Sequence, residues 1–347
     1  MKTSKIIIIL LLILFIIGAA YFIYTPQNKD VELEIPVDVP SKEAPIEESV
    51  KLPEKNVLAK KEIDFSIEAS HSSELNGIEI LQKDFYIKNP STGSMWDVSV
   101  FEPLGLGKNL PAVILVPGGT NDKSKFLSNA SPIVEYSTAE KFASEGFITL
   151  IFSPEGRGDS EGVEDFNGYI NQDGLYELYK FLKDHPNTDE NNMGIISYSY
   201  GVAMASGMLG RYEVPLKYYI EWEGPVDKYY VTVGCVDRAP AKEGVGAVKA
   251  GITCDDDDYW AEREAIKFVP DFKVEYFIIV QKEKDHVQPT HKHSLEVNNL
   301  AVEHLDWVRV NGSENEINQI YNYDTFPLLT KRVDLSEVII SYINEII

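Results

Sequence analysis

Hydrophobic and polar positions divide the chain into three stretches of different character. Residues 6–24 are apolar, aromatic or small at every position. At about 1.5 Å per residue, a helix of that length crosses the hydrocarbon core of a bilayer. Residues 25–74 are dominated by Pro, Glu, Lys and Val, with Pro26, Pro36, Pro40, Pro45 and Pro53 breaking any long helix. That composition predicts an extended, charged stalk. From Leu75 to the end, short apolar runs alternate with amphipathic ones.

Within residues 75–347 the pattern predicts individual elements. Residues 78–80, 85–87 and 96–101 read as strands, the last with period-two alternation. Residues 112–116, 147–152, 193–196, 218–222, 274–280 and 307–310 are short apolar runs of the kind buried on both faces of a sheet. Helical patterns lie between and after them, at 136–144, 173–183, 200–209, 259–268, 291–304 and 335–346. Leu175, Leu178, Tyr179 and Leu182 share one face of the second. Apolar strands alternating with helices predict an α/β domain, a mostly parallel sheet with helices on both faces. Residues 225–271 are longer than a connection requires and predict a small cap insertion.

Charge and composition narrow the classes. A net charge of −23 disfavours nucleic acid as a partner, since phosphates are repelled by such a surface. Lys2 and Lys5 precede the apolar run, and Asp30, Glu32, Glu34 and Asp38 follow it. The positive-inside bias then predicts a cytoplasmic tip at 1–5, a single-pass anchor at 6–24 and an extracytoplasmic domain. A cleaved signal peptide is the rival reading, with Gly18-Ala19-Ala20 as its cleavage site. The two cysteines, Cys235 and Cys254, both fall in the cap, and an exported location predicts a disulfide between them.

Chemistry concentrates at Ser197-Tyr198-Ser199-Tyr200-Gly201. A buried strand runs into Ser199 and straight on into a helix of Val, Ala, Met and Ser. A tight strand-to-helix turn exposes such a serine at the carboxyl edge of a sheet and needs small residues two places to either side. Ser197 and Gly201 fill those places, so the usual G-x-S-x-G reads S-x-S-x-G. The free amides and dipole of the helix that starts at Tyr200 favour an oxyanion beside the serine.

With these features the chain resembles the α/β-hydrolase superfamily, particularly its prolyl-oligopeptidase-like, dienelactone-hydrolase-like and X-Pro-peptidase-like branches, over about residues 80–345. Val116-Pro117-Gly118-Gly119-Thr120 is similar to the family's oxyanion loop, which implies oxyanion donors at the amides of Gly119 and Tyr200. Glu155-Gly156-Arg157-Gly158-Asp159-Ser160-Glu161-Gly162 resembles the stretch after the next strand, where Arg157 would pin neighbouring loops. Glu283-Lys284-Asp285-His286-Val287-Gln288-Pro289 resembles the loop that carries the catalytic acid, which implies Asp285 in that role. The family's histidine follows the last strand, but no histidine occurs here after His304. His286, beside Asp285, is the candidate base; His291, His293 and His304 read as solvated positions on a helix.

Two further segments are candidates. Asp255-Asp256-Asp257-Asp258 lacks the alternating spacing of a calcium loop and reads as a helix cap, with Asp258 capping the helix over 259–268. Glu221-Trp222-Glu223-Gly224 ends a strand on the serine's edge, so Trp222 and Glu223 are candidates to line a substrate pocket. The reading is an extracytoplasmic serine hydrolase acting on an ester or short peptide, with no cofactor or metal. Its alternative is a catalytically silent binding protein of the same fold at the cell surface.

Overall fold

The computed structural model describes residues 68–127, 138–229, 251–330 and 334–347, all within one compact unit, Ala59–Ile347. The expected anchor at 6–24, the stalk up to residue 67, and residues 230–250 of the expected cap lie outside the described residues. No helix among the described residues is long and apolar enough to cross a membrane.

A nine-stranded sheet organises the domain in the order β1-β2-β3-β5-β4-β6-β7-β8-β9. Its strands are β1 (Ala69–Leu75), β2 (Ile78–Lys88), β3 (Met95–Pro103), β4 (Leu110–Val116), β5 (Ile148–Phe152), β6 (Thr188–Tyr198), β7 (Leu216–Trp222), β8 (Val274–Val280) and β9 (Val308–Val310). The first three form antiparallel ladders, and β3 also runs antiparallel to β5. From β5 to β9 every pairing is parallel. The apolar runs seen in the sequence are these parallel strands, buried on both faces as crossover helices require.

The sheet begins at Ala69, upstream of the expected start at Leu75. β1 is Ala-Ser-His-Ser-Ser-Glu-Leu, an edge strand whose middle is exposed, so it has no apolar face for a periodic pattern to register. The two short runs at 78–80 and 85–87 belong to one strand, β2, joined through the polar Gln82, Lys83 and Asp84.

Among the described residues there are six helices: α1 (Ala139–Ser144), α2 (Tyr169–Asp184), α3 (Gly201–Arg211), α4 (Asp257–Ala261), α5 (Lys292–His304) and α6 (Leu335–Asn344). One face carries α2, α3 and α5, with Leu175, Leu178, Leu182, Met204, Met208 and Val297 buried against Ile114, Leu150 and Ile195. The other carries α1 and α6, with Phe142, Ile339 and Ile343 buried against Leu115, Ile151 and Ile196. Each fully buried aliphatic side chain contributes roughly 1.5–3 kcal/mol. Together these two layers fix the carboxyl edges of β4, β6, β7 and β8.

The expected helix over 259–268 is shorter than the sequence suggested. α4 spans five residues and gives way to two short 3-10 turns. The aspartate run does cap it, but through Asp256, whose carboxylate accepts from the Tyr259 amide at 3.2 Å. Cys254 is disulfide-bonded, and the chain's other cysteine, Cys235, lies outside the described residues.

Candidate active site

Ser199 follows the last residue of β6 directly, with only Tyr200 between it and α3, and its φ is +50°. A non-glycine residue in the left-handed region costs about 1–3 kcal/mol and persists only where its surroundings hold it. Here the Ser199 amide donates to the Trp222 carbonyl at 2.9 Å, and the Ser199 carbonyl accepts from Val202 at 3.1 Å. Gly201 explains the tightness of the turn. A Cβ on it would lie 2.7 Å from the Pro117 carbonyl oxygen and 2.9 Å from that of Val116. The start of α3 is thus pressed against the loop after β4, bringing Gly119 (φ +56°) and the Tyr200 amide to the same edge.

Arg157 pins this region, as its sequence context suggested. Its buried guanidinium donates to both carboxylate oxygens of Glu164 at 2.7 Å and to Asn167 Oδ1 at 2.8 Å. Asn167 in turn donates to the Tyr200 carbonyl at 2.9 Å, so the ion pair reaches the turn beside Ser199. Tyr200 packs against the small cluster of Cys254 and Trp260. Burial pushes its phenol pKa up.

Directly after the last strand, β9, stands Asn311 at φ +58°. It accepts from the Gln281 amide at 3.0 Å and donates to the Gln281 and Pro327 carbonyls, stitching the ends of β8 and β9 together.

His286 lies on the edge that holds Ser199. Its ring stacks on Trp222 at 4.6 Å between centroids, and Trp222 is the residue whose carbonyl holds the Ser199 amide. The side chain is 8% exposed. Nδ1 lies 2.8 Å from Glu223 Oε2, and since a carboxylate accepts, Nδ1 carries the proton. Nε2 is buried and has no hydrogen-bond partner among the described residues.

Three expectations are corrected here. Asp285 was expected to orient His286, but its nearer oxygen is 3.5 Å from Nδ1, against 2.8 Å for Glu223. Asp285 instead accepts from His293 Nε2 at 3.0 Å, from Gln281 Nε2, and from the amides of Val287 and Gln288. Burial works to raise its pKa, but the His293 bond and these amides win, and its carboxyl is held below the usual range. His293 was read as solvated, yet it is completely buried in the first turn of α5, with Nδ1 2.8 Å from the Gly224 carbonyl. His291 is also buried, stacked on Phe326, while His304 is exposed as expected. Trp222 and Glu223 were expected to line a pocket. Both are fully buried, because the turn after β7 curls inward with Glu223 at φ +48°. The oxygens of Glu223 accept from the Lys282 amide and from His286.

Ligand atoms of Glu223, Asp285 and His286 lie within 4.8 Å of one another, close enough to hold a metal ion. The Lys282 ammonium already stands 3.6 Å from Glu223, and amides already occupy one Asp285 oxygen. The two carboxylates of the cluster are therefore already engaged by cations and donors of the chain itself.

Glu221 lies one residue before Trp222 and is completely buried. One oxygen accepts from the Gly224 amide, and the other has no partner among the described residues. Burial, with Glu223 and Asp285 nearby, pushes its pKa up to about 8. The folded state thus keeps a proton that the unfolded chain, with a carboxyl near 4.5, releases. The stability this confers is present in full below pH 4.5 and is lost as pH rises through 8. Glu221→Gln, neutral at every pH, is expected to be progressively more stable than wild type from pH 5 to 9, by on the order of 4 kcal/mol at the top. Urea denaturation at pH 5, 7 and 9 checks this; parallel stability curves contradict it.

No family model matches the chain. Uncharacterized peptidase YtmA of Bacillus subtilis is 34% identical over 91 residues, which is 25% of this chain and 34% of that protein. Among solved structures, acetyl xylan esterase 1 from a Thermoanaerobacterium species aligns with a TM-score of 0.54 at 13% identity, covering 82% of this chain and 89% of that one. An S-formylglutathione hydrolase from Agrobacterium tumefaciens aligns with a TM-score of 0.51 at 13% identity, over 79% and 95% of the two chains. Dipeptidyl peptidase 4 of Porphyromonas gingivalis aligns at 0.50 and 14% identity, over 70% of this chain but only 33% of that larger one. The chain therefore spans about a third of the length of each of these two peptidases.

Proposed function

We propose that this chain, which has the fold of the α/β-hydrolase superfamily, is a serine hydrolase that cleaves an ester or short peptide through Ser199. The observation that supports the reading is a serine at φ +50° on a strand-to-helix turn, at the sheet edge that also carries His286, whose buried Nε2 makes no hydrogen bond to Ser199 or to any other described residue and must close on the hydroxyl when substrate binds. In this mechanism the Ser199 hydroxyl attacks the substrate carbonyl while its proton passes to His286 Nε2. The amides of Tyr200 and Gly119 receive the oxyanion, each such donor being worth about 3 kcal/mol in the transition state. Collapse of the tetrahedral intermediate returns the proton from His286 to the leaving alcohol or amine. Water then attacks the acyl-serine, with His286 taking its proton in turn.

The binding-protein alternative drew its support from the lack of a histidine after β9. A base contributed by His286 from the loop after β8 answers that lack. Nothing in the mechanism calls on a cofactor. Treatment with a fluorophosphonate probe tests the reading: one equivalent should label Ser199, found by peptide mass mapping. An unlabelled protein, or label on another serine, contradicts it.

Topology belongs to the same proposal, with residues 6–24 as a single-pass anchor and 75–347 outside the cytoplasm. The lysines before the apolar run and the acids after it support this. Protease added to intact cells should release the hydrolase domain, and full protection of that fragment contradicts the orientation.

A further inference from the structure

We infer that Glu223 at the end of β7 is the carboxylate that positions His286, and that Asp285 with His293 forms a separate clamp holding the turn on which Glu223 stands. The inference rests on the serine-hydrolase reading for its kinetic consequences, but not for its structural ones.

The division of labour follows from which acceptor sites are already taken. Asp285 Oδ1 accepts from the amides of Val287 and Gln288 at 2.7 and 2.6 Å, and Oδ2 from His293 and Gln281 at 3.0 and 3.2 Å. Four donors leave a carboxylate little capacity for a fifth, and His286 Nδ1 stands 3.5 Å away. Glu223 has the complementary pattern. Its Oε2 accepts from both the backbone amide and the Nδ1 of His286, at 3.2 and 2.8 Å. Two bonds from one residue to one oxygen fix the loop and the ring together. With Nδ1 so engaged, the ring must present Nε2 as its basic nitrogen.

Glu223 holds a backbone conformation that a glutamate avoids, φ +48°, so something must keep it there. The next residue supplies the means. Gly224 donates its amide to Glu221, and its carbonyl accepts from His293 Nδ1 at 2.8 Å. A Cβ on Gly224 would fall 2.6 Å from Val202, three residues beyond Ser199 on α3. The Asp285–His293 pair therefore grips the carbonyl of Gly224, the residue after Glu223, and seats it against the helix of the nucleophile turn. Asp285 serves the site through that turn, and Glu223 serves it through the imidazole.

The test compares Glu223→Gln with Asp285→Asn in the full-length protein, using imidazole-nitrogen NMR of His286 and the kinetics of p-nitrophenyl acetate hydrolysis. Wild type should show His286 as the Nδ1-protonated tautomer. Glu223→Gln should lose that signature and lower kcat by about 10²–10⁴-fold with little change in KM, and Glu223→Asp should restore part of it. Asp285→Asn should keep the His286 signature, shift the His293 resonances instead, and lower Tm by roughly 5–10 °C through the broken buried pair. An Nε2-protonated His286 in wild type overturns the inference without any variant. So does a His286 signature that is lost in Asp285→Asn and kept in Glu223→Gln. A protein that shows the expected tautomers but neither reacts with fluorophosphonate nor cleaves the ester would retire the hydrolase reading and leave the positioning assignment standing.

Discussion

Replacing Ser199 with alanine is expected to lower kcat for any ester or peptide substrate by about 10⁴–10⁶-fold and to abolish fluorophosphonate labelling. The loss is large because the hydroxyl is the only group in the proposed mechanism that forms a covalent bond to substrate. What survives is the contribution of the oxyanion amides and of binding, which the substitution leaves in place. Stability should change little. The Ser199 backbone bonds to Trp222 and Val202 do not involve the side chain, and alanine carries the same Cβ through the same φ of +50°. Steady-state kinetics with a thermal melt on the same sample separates the outcomes. Retained turnover with an unchanged melt would show that Ser199 is not the nucleophile.

Removing the imidazole is the second large effect. His286→Ala should reduce kcat by about 10²–10⁴-fold, the range for a positioned general base. Unlike the serine substitution, it should also cost stability. The ring fills a stack on Trp222, and its loss removes one of the bonds to the buried Glu223, which keeps the amides of residue 286 and Lys282 and a Lys282 ammonium at 3.6 Å. A penalty of roughly 1–3 kcal/mol is expected for the lost charge-assisted hydrogen bond and stack. Added imidazole should recover part of the activity, since the vacated space lies beside the unpartnered position of Nε2. A fall in kcat of less than tenfold would exclude His286 as the base.

The parallel strands and the strand-to-helix turn at Ser199 were legible in the sequence because each leaves a local trace. A strand buried on both faces is a continuous apolar run, and the turn at Ser199 needs small residues at fixed offsets, here Ser197 and Gly201. The carboxylate arrangement left no such trace. Glu223 and His286 meet across 63 residues, and their contact depends on an inward curl of the turn after β7 that no periodicity encodes. Adjacency was misleading at Asp285 and His286, whose side chains have different main partners: Asp285 bonds to His293 and His286 to Glu223. His293 was missed for a related reason. A polar residue in the first turn of a helix reads as solvated, and only the packing of α5 against the Gly224 turn turns it inward. The one signal available was the crowding of Glu221, Glu223 and Asp285 at strand ends of a single sheet, which demands counter-charges close by.

The sheet order has a consequence for how the chain is made. β4 lies between β5 and β6, so both of its neighbours are synthesised after it. Its apolar run from Ala112 to Val116 leaves the ribosome without either partner. The first, β5, is complete only at Phe152, and the pairing with β6 extends to Ser197. At 5–20 residues per second, the roughly 80 residues that follow β4 take about 4–16 s to appear. Until β5 emerges the strand has neither partner, and its β6 side stays open to the end of that interval. The nascent chain is thus most vulnerable to misassociation midway through its synthesis, and a holdase or the translocation machinery that shields it then would matter more to yield than the stability of the finished fold.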